Sequence, residues 1–330
     1  MKNKKSYIIL SIFLSSIFGL DKVGTSAAKF LSIGAGARSI SMGGAFTSVA
    51  TDPSAMYWNP SGIARIDNVQ LYIDHSNWLA DINYDYLGLV LPIKGSRAVG
   101  LNFTSLSMPE MSVTRYGEDK TGETFKAGSY AIGLTFATNL TDRFSIGFNG
   151  KFIKEFISKS FSSTYALDVG TLFNTVYGPI LGMSISNFGP KMQIGGVDLL
   201  TKTDDESNNP DINANLSTES FNLPLTLRFG ASDVLSFKKL LILWSIDAVS
   251  PMDNSEYINL GFEISLNDRI FLRSGINSLL LEDREELFSV GAGLKIDLFS
   301  TNNIQIDYAY EVMRFLNDIH KFSIIIPLNK

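Results

Sequence analysis

From about residue 68 onward the chain is a succession of short runs in which apolar and polar residues alternate, and 14 such runs can be counted. Phe144, Ile146, Phe148 and Phe152 alternate with Ser145, Gly147, Asn149 and Lys151. Tyr130, Ile132, Leu134 and Phe136 alternate with Ala131, Gly133, Thr135 and Ala137. The same period governs Ile258 to Ile264, Phe288 to Ile296 and Ile304 to Glu311. A period of two places alternate side chains on opposite faces of a strand, so these runs predict a large antiparallel sheet.

A soluble sandwich shows the same period, and three features favour a membrane barrel over it. The apolar set is rich in Phe, Ile, Leu and Tyr, while the opposite set is small or polar. That is the inverted pattern of a barrel with a greasy outside and a polar inside. The connections alternate in length. Tight turns follow the even runs, at Lys94-Gly95-Ser96, Leu140-Thr141-Asp142, Val176-Tyr177-Gly178, Ser236-Phe237-Lys238, Asn267-Asp268 and Ser300-Thr301-Asn302. Longer links follow the odd runs, the longest from Ser107 to Glu123 and from Asn187 to Asn222. Short periplasmic turns, long outer loops and periplasmic termini are what an even-stranded outer-membrane barrel requires. Finally, a tilted strand of roughly 10 residues covers the ~25 Å apolar band of an outer membrane.

The start of the chain reads as a secretory signal. Lys2, Lys4 and Lys5 precede an apolar stretch from Tyr7 to Leu20, with cleavage expected after Gly19 or Ser26. Beyond residue 28 no apolar stretch is long enough for a spanning helix, which leaves a closed barrel as the way to cross a bilayer. The expected organisation is a signal peptide at 1–26, a plug-like segment at 27–67 and a barrel at 68–330, with outer-membrane lipid as its surroundings. The absence of cysteine, the two distant histidines His75 and His320 and the lack of a Gly-x-Ser-x-Gly elbow argue against an enzyme and against a bound cofactor or metal. A net charge of -5 argues against nucleic acid as a partner. The acidic stretch Thr203 to Pro210 reads as an outer loop without calcium-loop spacing.

Charges of both signs fall on the inward positions: Lys151, Arg228, Arg273 and Lys295 against Asp168, Asp247, Glu263, Asp307 and Glu311. Inward charges must be paired or wet, so a lumen network is expected, with a ligand role for some members as the alternative. Apolar residues in the outer links are candidate partner contacts: Trp78, Leu79, Met108, Met111, Phe188, Met192 and the triplet Leu279, Leu280, Leu281.

Residues 26 to 67 do not alternate and are rich in Gly and Ala, which suits backbone packed closely inside a lumen. Gly36-Ala37-Arg38, Met42-Gly43-Gly44-Ala45 and Tyr57-Trp58-Asn59-Pro60 followed by Gly62 resemble the opening of the PorV/PorQ family, relatives of the FadL-like outer-membrane channels. Trp78 to Asp85, Thr121 to Phe125, Gly182 to Gly189 and Asp307 to Tyr310 extend the resemblance over the mature chain. It implies an all-β, FadL-like transmembrane barrel with an N-terminal plug, in which Trp58, Asn59, Pro60 and Gly62 are the plug's motif. It also implies type IX secretion, in which the barrel binds and shuttles exported proteins. The implied partners are a translocon and cargo with C-terminal sorting domains. The alternative is a FadL-like channel for hydrophobic small molecules. One departure is the chain's last residue, Lys330, where such barrels usually carry an aromatic; Phe322 lies within the last run.

Overall fold

The computed structural model describes residues 24–117, 121–202, 213–281, 283–298 and 302–328. The expected signal peptide up to Val23, the acidic stretch at 203–210, the turn residues Ser300 and Thr301 and the terminal Lys330 lie outside the described residues.

Fourteen antiparallel strands close into a barrel. They are β1 (Val69–Asn77), β2 (Asn83–Ile93), β3 (Arg97–Ser107), β4 (Ala127–Asn139), β5 (Phe144–Ile157), β6 (Ser160–Asn174) and β7 (Ile180–Phe188). They continue with β8 (Thr226–Phe237), β9 (Leu240–Pro251), β10 (Tyr257–Leu266), β11 (Ile270–Leu279), β12 (Glu286–Leu298), β13 (Asn302–Met313) and β14 (Ile319–Leu328). Each strand pairs with its neighbours in sequence, and β14 returns to β1 with Val69 opposite Leu328 and Asn77 opposite His320. Closure removes both edges, so no ladder group is left for lipid to desolvate.

The alternation read in the sequence is the division between lipid and lumen. On β4, Ile132 and Leu134 are 49% and 60% exposed, while Ala131, Thr135 and Ala137 on the alternate positions are buried. Leu101, Phe229, Phe262, Leu272 and Phe322 stand outward in the same way. In water each such side chain would forgo about 1.5–3 kcal/mol, and a continuous belt of them makes sense only against hydrocarbon. Among the described residues no helix is long and apolar enough to cross a membrane, so the strands do the crossing.

The links divide the barrel into two ends. Turns of few residues close one end, for example Lys238-Lys239 between β8 and β9, with Lys238 in the left-handed region. The other end carries the described residues of 108–126, 189–225 and 280–285 together with links at 78–82, 252–256 and 314–318. The expected strict alternation fails once. β5 and β6 are joined at the long-link end by Ser158 and Lys159 alone, with Ser158 at φ 53°. The extended β5–β6 ladder runs to Ile157 opposite Ser160 and leaves no residues for a loop.

Residues 26–66 fill the lumen. Short pieces follow one another: a 3-10 turn at Lys29–Ser32, α1 (Ala37–Ser41), α2 (Ala55–Trp58) and a 3-10 turn at Pro60–Arg65. The plug enters at the long-link end, where Ala27 N donates to Asn222 O at 2.9 Å. It leaves at the tight-turn end, where Arg65 Nε donates to Ser145 Oγ at 3.2 Å and Asn139 donates to Ala64 O. The expectation of both termini at one end is therefore corrected for the first described residues. Ser26 and Leu328 lie at opposite ends, because the plug traverses the lumen before β1 begins.

Candidate functional site

The plug is held by wall side chains aimed at its backbone. Asp247 on β9 accepts from Phe46 N at 2.9 Å and Thr47 N at 2.8 Å. Asp74 on β1 accepts from Gly36 N at 2.9 Å, and Lys321 on β14 donates to Gly34 O at 2.6 Å. Asn59 of the plug motif donates to Thr47 O at 2.8 Å and to Thr171 O on β6 at 3.0 Å, joining two turns of plug to the wall. Pro60 opens the following 3-10 turn, and Gly62 is needed because a Cβ there would stand 2.1 Å from Ala50 O. Met42, Phe46, Met56 and Ile63 are fully buried at the centre of the plug.

The wall accommodates this by omitting side chains. A Cβ on Gly275 would stand 2.1 Å from Gly43 N, and one on Gly147 would stand 2.4 Å from the Pro60 carbonyl carbon. The small inward set seen in the sequence is thus the seat of the plug, where two backbones approach within contact distance.

The predicted lumen charges fall into three groups. Arg273 pairs with Asp307 at 2.6 Å and with Glu263, which also takes a bidentate contact from Arg38 of the plug at 2.9 Å. Lys151 pairs with Asp168 at 2.9 Å. Lys295 sits at the tight-turn rim rather than deep in the lumen, half-exposed and paired with Asp268 at 2.9 Å. Arg228 and Glu311 belong to none of the three. Sequence reading missed Asp74, Lys321, Arg38 and Asp52. The first two stand on inward positions of β1 and β14, a signal the alternation carries. The plug residues have no such periodic signal.

Cavities lie on either side of the plug. One of about 760 Å³ opens at the tight-turn end among Arg38, Asp52, Glu263, Lys295 and Gln305. Burial pushes the Asp52 carboxyl above its ordinary range, against the pull of Arg38 at 3.6 Å and hydrogen bonds from Ser54. The other, about 410 Å³, lies under the long links. Its walls include Phe30, Ile33, Tyr57, Trp58, Trp78, Leu106 and Tyr257, with Arg228, Asn259, Asn277, Glu286 and Glu311 as the main polar groups. Burial raises the Tyr57 hydroxyl to about 12, with Arg228 acting in the opposite direction. Trp58 Nε1 donates to Ala35 O at 2.8 Å, which fixes the indole as a partition between plug and cavity. Over this cavity the N-terminal arm is clasped: Lys29 Nζ pairs with Asp253 at 2.6 Å and Ser26 Oγ donates to the same carboxylate. Burial works against the Asp253 charge, but these two donors outweigh it and hold the carboxyl below its ordinary range.

A third hollow, an apolar groove of about 860 Å³, lies at the rim between the two longest links. The predicted contacts Met108 and Met111 line it. Met192 was expected to be exposed and is not. It is 2% exposed, packed with Ala28, Phe30 and Ile153, and forms the groove floor. Trp78 is likewise folded inward over the outer cavity, beside Tyr84. Leu79, Leu279 and Leu281 are half-buried, whereas Phe188 and Leu280 are exposed at 65% and 73%.

The sequence model of UPF0164, an uncharacterised protein family, matches residues 15–155. No curated protein matches the chain. Among solved structures, the Pseudomonas putida toluene transporter TodX is 11% identical, with a TM-score of 0.58 over 94% of this chain and 98% of its own. The CymD monoaromatic hydrocarbon channel is 11% identical, with a TM-score of 0.61 over 90% and 98%. A Pseudomonas aeruginosa FadL homologue is 14% identical, with a TM-score of 0.53 over 89% and 97%. The fold is therefore that of a plugged, 14-stranded outer-membrane barrel resembling the FadL hydrophobic channels.

Proposed function

We propose that this protein admits small, largely apolar molecules through the outer membrane from its long-link end. The observation that carries this is the aromatic-walled outer cavity, enclosed between plug and wall beside an apolar rim groove. A hollow of this size with few, convergent polar groups is the form of a small-molecule site. Passage requires the plug to shift, and the clasp of Lys29 and Ser26 on Asp253 is the point where an entering molecule meets it. The test is uptake of a long-chain fatty acid or an alkane into vesicles carrying the protein. Stimulation over empty vesicles is expected, with Trp58→Ala and Asn59→Ala changing the rate at least several-fold. No stimulation would end this reading.

A second reading, protein docking of the PorV/PorQ kind in type IX secretion, is supported by apolar tips on the outer links. Leu280 is 73% exposed and Phe315 74%, with Leu316 and Phe188 similarly presented. In this reading the partners are a translocon and cargo with a C-terminal sorting domain. Recovery of such proteins with the tagged barrel from outer membranes is the expected result. Recovery of the barrel alone would remove it.

A further inference from the structure

Two buried ionisable side chains face the outer cavity without the ion pair that Arg273, Lys151 and Lys321 each have. Arg228 on β8 is 7% exposed, and among the described residues no carboxylate lies within ion-pair distance of it. Its guanidinium donates to Ser186 Oγ at 3.1 Å and stands 5.4 Å over the Trp58 ring. Asp247, diagonal to it across the β8–β9 ladder, is turned to the plug amides. Glu311 on β13 is 4% exposed and, among the described residues, makes no hydrogen bond and no ion pair within 4 Å, while Lys321, diagonal to it across the β13–β14 ladder, and Glu286 both act on it electrostatically. Glu286, on the adjacent strand β12, lines the same cavity and is oriented by Asn277 Nδ2 at 2.6 Å.

A buried ionisable group without a partner is costly to hold charged, and a ligand of opposite charge lowers that cost. Elsewhere this lumen avoids it, with Arg273, Lys151 and Lys321 each set against a carboxylate. The two exceptions share one aromatic-walled cavity, Arg228 on one part of its lining and Glu311 beside Glu286 on another, while Lys29, the other cation of the lining, is already set against Asp253. A neutral hydrocarbon would leave Arg228 and Glu311 without an ion pair.

We propose that the outer cavity takes an apolar molecule bearing an ammonium group and a carboxylate, the first held by Glu311 and Glu286 and the second by Arg228. The aromatic walls suit both the apolar body and the cationic end, since an ammonium is attracted to ring faces. This rests on the uptake reading and narrows its substrate class from apolar molecules in general to amphipathic zwitterions.

The test is equilibrium binding to the detergent-solubilised full chain, read by the fluorescence of Trp58 and Trp78 in the cavity wall. The probes are 8-aminooctanoate, octanoate, octylamine and octanol, with 6- and 10-carbon amino acids to report the spacing of the two ends. In the unaltered protein 8-aminooctanoate is expected to bind at least about tenfold more tightly than the other three eight-carbon probes. Glu311→Gln should abolish its advantage over octanoate, and Arg228→Gln its advantage over octylamine. Octanoate, octylamine or octanol binding as well as the amino acid would overturn the proposal, as would no binding by any probe. The comparison of probes on the unaltered protein needs no variant to fold. Uptake of a neutral alkane into vesicles, with no preference for the zwitterion, would leave the channel reading standing while this one falls.

Discussion

Gly275 shows how a single side chain, by its absence, seats the plug. Its missing Cβ is replaced by the Gly43 and Met42 backbone, so any substitution there pushes on main chain rather than on a movable side chain. Gly275→Val is therefore expected to dislodge the plug and to give steady ion conductance in planar bilayers, where the unaltered protein gives little. Gly150→Ala serves as the control: its Cβ would meet nothing within 4 Å, and conductance should not change. Arg273 illustrates the opposite strategy. It is buried between Glu263 and Asp307, and removing one member of such a group costs about 3–5 kcal/mol because the survivors stay buried.

The N-terminal arm is an element whose hold on the barrel depends on one carboxylate. The Asp253 carboxyl titrates below its ordinary value of about 3.9 in the folded chain, so the clasp contributes in full above about pH 4. As pH falls through the folded value the carboxylate is protonated and that contribution is lost. Acrylamide quenching of the cavity tryptophans, with Trp244 replaced by Phe, should reveal this. At pH 7 the unaltered protein is expected to be quenched less than Asp253→Asn. Once the pH is below the folded value of the Asp253 carboxyl the two should converge, and equal quenching of the two proteins at pH 7 would count against the clasp. The ion pair is worth at most about 1 kcal/mol, because Lys29 is half exposed. A latch this weak suits an arm that must open.

For the molecule as a unit, the decisive relation is between a greasy exterior and a packed, hydrogen-bonded lumen. Isolated from membranes, the mature chain is expected to remain monodisperse only in detergent. Unheated in dodecyl sulfate it should migrate faster than after boiling, because a closed ladder opens only when every strand pair is released together. A chain monodisperse in plain buffer would contradict the outward placement of Leu134, Phe262 and Phe322.

The strand pattern was open to reading because alternation and turn chemistry are local: a period of two assigns each residue to a face without knowledge of its neighbours in space. The alternation on β4, β5, β10, β12 and β13 therefore agrees with the barrel strand by strand. The partnerships could not be read, since they join positions hundreds of residues apart, as Gly34 meets Lys321 and Ser26 meets Asp253. For the same reason Met192, apolar and in a long link, looked exposed until the plug was seen to cover it. Whether an inward charge is neutralised depends on which strands closure brings together. Lys151 and Arg228 are alike as inward cations in the sequence, yet one faces Asp168 and the other faces a cavity.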